Sequence, residues 1–227
     1  MSNSLSKSQM REVTLSELRK LALNSYDSLW NQAEYMGRDV KLYLHWTAGW
    51  YTQFYDGYHV QIDHDGRIYV PRNIPLDEPT AGTWKRNTGA INLTILGCAD
   101  ANTNYKGTAP PTKQQIESLA QSIAVLAKAL DLTIDINHVM THGEAADNED
   151  GEHPYSEYDE YGPLSGAMER WDLEVLWTNE SPSYNPHNRE ARGGTILRGK
   201  ANFYNDYYKG KVEEYWDNCF TKIKNFG

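Results

Sequence analysis

The sequence predicts an α/β fold in which a central mixed β-sheet is flanked by α-helices. Two segments carry apolar residues at helical spacing, and several shorter segments are rich in β-branched and alternating apolar residues. The order of helical and β-prone segments along the chain fits a sheet covered by helices. With 39% hydrophobic and 23% charged residues, the composition is that of a globular domain with its own core.

The first helix is predicted to begin after Thr14. The stretch from Thr14 to Glu17 has the pattern of a capping box, in which the two side chains satisfy free N–H groups at the start of a helix. Apolar residues then recur at helical spacing as far as Trp30. This pattern predicts one continuous helix of about five turns.

The segment 40–46 is predicted to form a strand because its residues alternate in character. The apolar set, expected to face the core, is Val40, Leu42, Leu44 and Trp46. The opposite set is Lys41, Tyr43 and His45. A hairpin follows at 58–63 and 67–70, because Asp65-Gly66 favours a tight turn. The β-prone run 89–97 is predicted to be a buried strand.

The second half of the chain begins with another capping box at Thr112 and Gln115, and a stripe of apolar residues predicts a helix reaching Leu130. The segment 133–141 is predicted to be a strand. A short helix is predicted at 170–177 and a closing helix at 201–220.

These elements suggest three parts of the chain. Residues 1–38 form a helical segment that packs on the core, and residues 39–180 form the main domain. Acidic and tyrosine-rich residues without apolar periodicity make an insertion at about 145–167. Residues 181–227 form a C-terminal extension, and we expect a monomer.

Composition excludes several classes of function. A net charge of −9 argues against nucleic acid as a partner, because binding phosphates needs a basic surface. No apolar run approaches the roughly 18 residues of a membrane span. The polar residues at the start do not resemble a signal peptide. Cys98 and Cys219 are expected to be free thiols, since two cysteines are too few for a disulfide framework.

Two histidines at predicted strand ends, His45 and His142, are candidate metal ligands together with Asp172. Catalytic zinc takes three protein ligands of these types and leaves a further position for water. Spacing alone does not select these residues among the seven histidines of the chain. The motifs around them carry the argument.

Several motifs resemble those of the type 2 N-acetylmuramoyl-L-alanine amidases, a family that includes the peptidoglycan recognition proteins and several phage lysins. His45-Trp-Thr-Ala-Gly49 is similar to the family's H-x-T-A-G signature. Gly57-Tyr-His59 and the turn at Asp65-Gly66 resemble its G-Y-H/N segment and D-G-x-[IV] turn. The run 87–97 is similar to its N-x-x-[SA]-I-G-[IV] strand.

The later motifs follow in the family's order. Val139-Met-Thr-His142 resembles the strand that ends in the second histidine, and Arg170-Trp-Asp172 resembles the [KR]-x-D element that brings the last ligand. The resemblance therefore covers roughly 40–177. It implies the family's fold, with a zinc cleft at the strand ends.

The resemblance also implies roles for individual residues. His45, His142 and Asp172 would bind Zn²⁺. Tyr58 matches the tyrosine beside the scissile carbonyl, and Arg170 stands where a lysine often stabilises the oxyanion. Arginine keeps that positive charge but cannot serve as a general base.

Four residues are expected to contact the substrate, a peptidoglycan or a muropeptide. Thr47 lies inside the H-x-T-A-G motif and Trp50 directly follows it. Tyr155 and Tyr158 lie in the insertion, both of whose ends must reach the rim of the cleft. Their rings are suited to stacking on sugar or peptide.

The chain departs from the family pattern in two ways. His142 and Asp172 are 30 positions apart, more than the family usually has, so Asp147 or Asp150 is an alternative third ligand. Thr94 stands near the position where some members place a glutamate as general base. The base would then be Tyr58 or another group.

The resemblance implies zinc-dependent hydrolysis of the amide between N-acetylmuramic acid and L-alanine. A peptidoglycan-binding module without hydrolysis, or a structural part of a phage or secretion apparatus, is the alternative. We expect synthesis in the cytoplasm and action on the cell wall after phage lysis or export. Action on soluble muropeptides in the host cytoplasm is the alternative location.

Overall fold

The computed structural model describes residues 3–152, 172–179 and 191–207. The strands of the described residues are β1 (Ser4–Leu5), β2 (Met10–Val13), β3 (Lys41–Trp46), β4 (Phe54–Tyr55), β5 (Val60–Ile62), β6 (Ile68–Pro71), β7 (Ala90–Ile95) and β8 (Val139–Thr141). The α-helices are α1 (Leu15–Asn24), α2 (Tyr26–Tyr35), α3 (Lys113–Ala129), α4 (His142–Ala146) and α5 (Gly193–Tyr207).

Six strands form one mixed sheet in the order β2-β6-β5-β7-β3-β8. The strands β5, β7, β3 and β8 run parallel to one another, while β6 and β2 pair antiparallel at one edge. A separate two-stranded sheet joins β1 to β4. The predicted fold class, a mixed sheet flanked by helices, is therefore confirmed.

The helices α1 and α5 each pack against α3, and α3 contacts strands β5 and β7. All four residues predicted to form the apolar face of β3 belong to the main hydrophobic core: Val40, Leu42, Leu44 and Trp46. Both predicted capping boxes are present, at Thr14 and at Thr112. The alternating pattern therefore identified the core-facing side of β3 correctly.

The opposite set of side chains on the central strands is polar and also buried. His45 of β3 pairs in register with Thr94 of β7, and Thr94 pairs with Gln61 of β5. These three residues and Asn92 have no exposed surface. Buried polar groups need hydrogen-bond partners. This buried polar face of the sheet is therefore the place to look for a functional site.

The continuous N-terminal helix predicted from the sequence is wrong, because the structure has two helices that meet at Ser25. Ser25 has a ψ of 0°, and its side chain donates a hydrogen bond to Asp77 Oδ1 at 3.2 Å. A contact with Asp77, which is distant in the sequence, therefore lies at the point where the predicted helix is interrupted.

Two later elements also differ from their predictions. The strand predicted at 133–141 is limited to Val139–Thr141, because Asp135 forms a turn by accepting the backbone N–H groups of Asn137 and His138. Residues 172–174 form a turn rather than part of a helix, and 170–171 lie outside the described residues.

The C-terminal helix begins at Gly193, earlier than predicted, and positions 208–220 lie outside the described residues. Leu197 and Ala201 are fully buried in the same core as the sheet. In the part of the chain that the structure describes, no helix is long and apolar enough to cross a membrane.

Candidate metal centre

Three candidate ligands converge at the carboxyl ends of β3 and β8. His45 Nδ1 lies 3.1 Å from His142 Nδ1, and each nitrogen lies 3.3 Å from Asp172 Oδ2. All three residues are buried. His45 is the penultimate residue of β3 and His142 directly follows β8, so the neighbouring strands bring the two rings together.

The spacing of these atoms fits a zinc ion. Zinc–ligand bonds of about 2.0–2.2 Å in a tetrahedron place neighbouring ligand atoms about 3.3–3.6 Å apart. The three observed separations lie within a few tenths of an ångström of that value. Two imidazoles and one carboxylate are also a donor set that catalytic zinc takes, with a fourth position left for water.

The other ring nitrogen of His45 has its own partner. His45 Nε2 lies 2.9 Å from Asn92 Oδ1, a residue of the adjacent strand β7. Thr83 Oγ1 donates to the same Asn92 oxygen at 3.1 Å. The ring is therefore held from the side opposite to the candidate metal position.

His142 is fixed by a capping box at the start of α4. Glu144 N–H donates to Thr141 Oγ1 at 3.1 Å, and Thr141 N–H donates to Glu144 Oε2 at 2.9 Å. Arg198 of α5 then pairs with both oxygens of Glu144, at 2.7 and 2.9 Å. Strand, helix cap and C-terminal helix together define the position of His142.

The carboxylate of Asp172 is stabilised in its charged form. Burial alone would raise the pKa of Asp172, but His142 and His45 outweigh burial and hold the pKa well below its usual range. An ionised carboxylate is the form that a metal binds. Asp172 is therefore ready to act as a ligand at neutral pH.

The two alternative third ligands are engaged elsewhere. Asp150 pairs with Arg86 at 2.9 Å and with Lys41 at 2.5 Å. Burial raises the pKa of Asp150, but Arg86 and Lys41 outweigh this and keep the pKa well below its usual range. Asp147 pairs with Arg192 at 3.2 Å. The structure groups Asp172, and neither of these residues, with the two histidines.

The first residues of the predicted insertion contribute to packing. Ala145 is buried in a small cluster with Tyr43. The side chain of Asp150 is only 3% exposed, between Lys41 and Arg86. A buried carboxylate needs such partners, and they attach this segment to β3 and to the connection before β7.

Tyr58 lies beside the candidate metal ligands. Its ring centroid is 5.0 Å from that of His45, and the residue is partly exposed. Gln61 holds the loop that carries Tyr58, since its Nε2 donates to the backbone oxygens of Tyr55 and Tyr58 at 2.6 and 3.2 Å. The buried side chain of Gln61 on β5 thus helps to place the Tyr58 ring next to His45.

The structure locates two of the four predicted substrate contacts. The Thr47 hydroxyl is engaged with the backbone of Gly97, accepting at 3.0 Å and donating at 3.2 Å. Trp50 is 53% exposed on the loop after β3. Tyr155, Tyr158 and the predicted catalytic residue Arg170 lie outside the described residues.

Two further polar residues near the site, His138 and Thr94, do not belong to the group of candidate ligands. His138 contacts Asp135 and Asp39 at 2.8 and 3.2 Å, ahead of β8. Thr94, near the position of the family's glutamate, is fully buried and donates to the backbone oxygen of Ile95 at 3.2 Å.

A second group of potential metal ligands lies in the turn at 63–65, where Asp63, His64 and Asp65 are close together. Asp63 Oδ1 already accepts the N–H groups of Asp65 and Arg67. Asp65 and His64 are exposed. Hydrogen bonds within the turn account for this group without a metal.

Sequence reasoning missed several residues that support the site, among them Asn92, Gln61 and Arg198. One sequence signal was present, since Thr141-His-Gly-Glu144 is a capping-box pattern directly at the second histidine. Partners such as Arg198 are distant in the sequence and have no comparable local signal.

Comparison with known proteins agrees with the motif assignment. The model of the family Amidase_2, described as N-acetylmuramoyl-L-alanine amidase, matches residues 23–155. This range includes His45, Tyr58 and His142 and ends before Asp172. No curated protein matches the chain significantly.

Several solved structures are similar to part of the chain. They include the endolysin N-acetylmuramoyl-L-alanine amidase LysCS from Clostridium intestinale URNW, with 20% identity and a TM-score of 0.35 over 46% of this chain and 68% of that one. The Ph2119 endolysin from the Thermus scotoductus MAT2119 bacteriophage Ph2119 has 22% identity and a TM-score of 0.34, over 47% and 72%. Drosophila peptidoglycan recognition protein SD has 16% identity and a TM-score of 0.33, over 45% and 68%.

Likenesses of this size say nothing about substrate or activity. The family model carries the assignment, because its match covers more than half of the chain. The chain belongs to the N-acetylmuramoyl-L-alanine amidase family.

Proposed function

We propose that this protein is a zinc-dependent amidase that hydrolyses the bond between the lactyl group of N-acetylmuramic acid and L-alanine in peptidoglycan. The observation that carries the proposal is the convergence of His45 Nδ1, His142 Nδ1 and Asp172 Oδ2 at zinc-like spacing. Membership of the amidase family supplies the substrate class.

Zinc bound by these three residues would supply polarisation of the amide carbonyl and activation of the hydrolytic water. The protein's contribution is to hold the ligand atoms in place. Asp172 is kept ionised, and strand β3 and the start of α4 fix the two imidazoles. Rigid placement of this kind supports catalysis because little reorganisation is needed during reaction.

Tyr58 is proposed to act on the substrate. Its ring lies beside His45 on a partly exposed loop, so its hydroxyl is suited to donate a hydrogen bond to the oxygen that gains charge as the amide is attacked. Arg170, placed by sequence two residues before Asp172, is proposed to add positive charge there. Exposed Trp50 is proposed to contact sugar or peptide.

Product analysis tests the proposal. Purified peptidoglycan is digested with the full-length protein, with and without a metal chelator, and the products are identified by mass spectrometry. We expect free stem peptides that begin with L-alanine, and we expect the chelator to abolish their release. His45→Ala should give the same result as the chelator.

Two results would contradict the proposal. Cleavage at another bond would assign a different hydrolytic specificity. Binding of peptidoglycan by zinc-loaded protein without any release of stem peptide would identify a binding module rather than an enzyme.

A further inference from the structure

Behind His45, a buried hydrogen-bond network surrounds the side chain of Asn92. This asparagine stands where the N-x-x-[SA]-I-G-[IV] motif quoted above has glycine, so its side chain is an addition to that pattern. Asn92 is fully buried, and its side chain contacts residues of the connection between β6 and β7. The connection between β6 and β7 therefore holds the Asn92 side chain in place.

The network determines the orientation of the Asn92 amide. Thr83 N–H, a backbone donor, bonds to Asn87 Oδ1 at 2.8 Å, which identifies that atom as an oxygen. The Asn92 atom 3.2 Å from the same oxygen must then be the donor Nδ2. A flipped amide would place two oxygens against each other. Asn92 Oδ1 consequently faces His45.

This orientation determines which nitrogen of His45 carries the proton. Asn92 Oδ1 can only accept, so His45 Nε2, at 2.9 Å, must be the donor. In the neutral ring, Nδ1 then keeps its lone pair, and Nδ1 is the atom directed at His142 and Asp172. The hydrogen bond from Nε2 to Asn92 therefore leaves the Nδ1 lone pair of His45 available to bind a metal.

The packing around Asn92 is specific for this amide. A β-carbon at Gly82 would overlap the Asn92 side chain. Thr80 Oγ1 accepts from Asn92 Nδ2 at 3.0 Å, and Thr83 Oγ1 donates to Asn92 Oδ1 at 3.1 Å. The connection is shaped to hold the amide in one orientation.

We infer that Asn92 is a positioning residue which, held by Thr80, Gly82, Thr83 and Asn87, keeps His45 in the form with its Nδ1 lone pair toward the metal. The inference rests on the proposed function, in which His45 binds zinc. It adds a positioning residue to the proposed ligand set.

The test compares two replacements of Asn92 in the full-length protein. Asn92→Leu keeps the approximate size of the side chain but removes the acceptor, and Asn92→Asp keeps the acceptor toward His45. We expect Asn92→Leu to weaken zinc binding about 10- to 100-fold in competition with a chelator, the usual effect of losing such a partner. Asn92→Asp loses the donor toward Thr80 and Asn87, so it should be less stable than wild type. Its zinc affinity should nevertheless stay within a few-fold of wild type, because the acceptor toward His45 is kept.

The matched control is Gln115→Leu. Gln115 is also a fully buried amide, but it lies on α3 and donates to the backbone oxygens of Ile62 and Leu96 at 3.1 and 2.6 Å. This variant should lower thermal stability without changing zinc affinity. Equal zinc affinity in wild type and Asn92→Leu would overturn the inference while leaving the proposed function intact.

Nitrogen NMR of the metal-free, histidine-labelled wild type provides a readout that needs neither zinc nor a stable variant. We expect the proton of neutral His45 on Nε2. A proton on Nδ1 would overturn the inference. If the wild type binds no zinc, the metal-dependent proposed function fails, and this spectrum still decides which nitrogen of His45 carries the proton.

Discussion

Gly193 at the start of α5 and Leu173, the neighbour of Asp172, are in contact backbone to backbone. A β-carbon at position 193 would overlap the carbonyl oxygen of Leu173. Gly193 N–H also donates to the carbonyl oxygen of Glu174 at 3.0 Å. The C-terminal helix thereby positions the segment that carries the proposed third ligand.

Gly193→Ala should therefore disturb zinc binding at a distance. The added methyl meets a backbone oxygen that has no rotamer to change, so the segment 172–174 must move. We expect a stability loss of about 1–3 kcal/mol and a clear loss of zinc affinity. Gly199→Ala is the matched control, because it lies in the same helix with open space around it. Equal zinc affinity in both variants would contradict this role of the helix.

The identity of the third ligand is tested by metal content. Asp172→Ala should abolish stoichiometric zinc binding. Asp150→Ala should keep zinc but lose about 1–3 kcal/mol of stability, because Arg86 and Lys41 would lose their nearest carboxylate and keep only the longer contacts with Glu152. Zinc retained in Asp172→Ala and lost in Asp150→Ala would reassign the ligand.

The role of Tyr58 is tested by removal of its hydroxyl. Tyr58→Phe keeps the ring beside His45, so fold and zinc content should be unchanged. Turnover should fall by about 10²-fold or more, the scale for losing a positioned hydrogen-bond donor or proton-transfer group. Wild-type turnover in this variant would exclude Tyr58 from the mechanism.

Much of the fold could be predicted from local sequence patterns. Alternation identified the core face of β3, and the capping boxes at Thr14 and Thr112 located the starts of two helices. The break at Ser25 could not be predicted in this way, because it depends on Asp77 more than fifty residues away. Local periodicity carries no information on such contacts.

The candidate site, too, could be predicted only in part from local sequence patterns. The motifs selected His45, His142, Asp172 and Tyr58, which the structure brings together. The groups that hold them come from distant parts of the chain, as Arg198 on Glu144 shows. Their positions depend on tertiary packing, so no local motif identifies them.

His59 should make stability depend on pH. Burial lowers the pKa of His59 to about 4, and the neutral ring accepts from Asn92 N–H and donates to the Glu78 carbonyl oxygen. In the unfolded chain the pKa is about 6.5, so between these values the unfolded state binds more protons and stability falls as pH falls. His59 alone should contribute a slope of up to about 1.4 kcal/mol per pH unit.

Urea unfolding of metal-free wild type and His59→Gln, measured from neutral pH to about pH 4, checks this contribution. The variant should be less stable at neutral pH but lose stability less steeply as the solution is acidified. Parallel pH profiles for the two proteins would show that His59 does not titrate as described.

The most direct test of the zinc amidase assignment is restoration of activity in protein stripped of metal. Zinc is added stepwise while the release of stem peptide from a soluble muropeptide is measured. We predict no release without metal, a linear rise on addition of zinc, and a break at one zinc per chain. Full release by the stripped protein, or no release at any zinc content, would contradict the assignment.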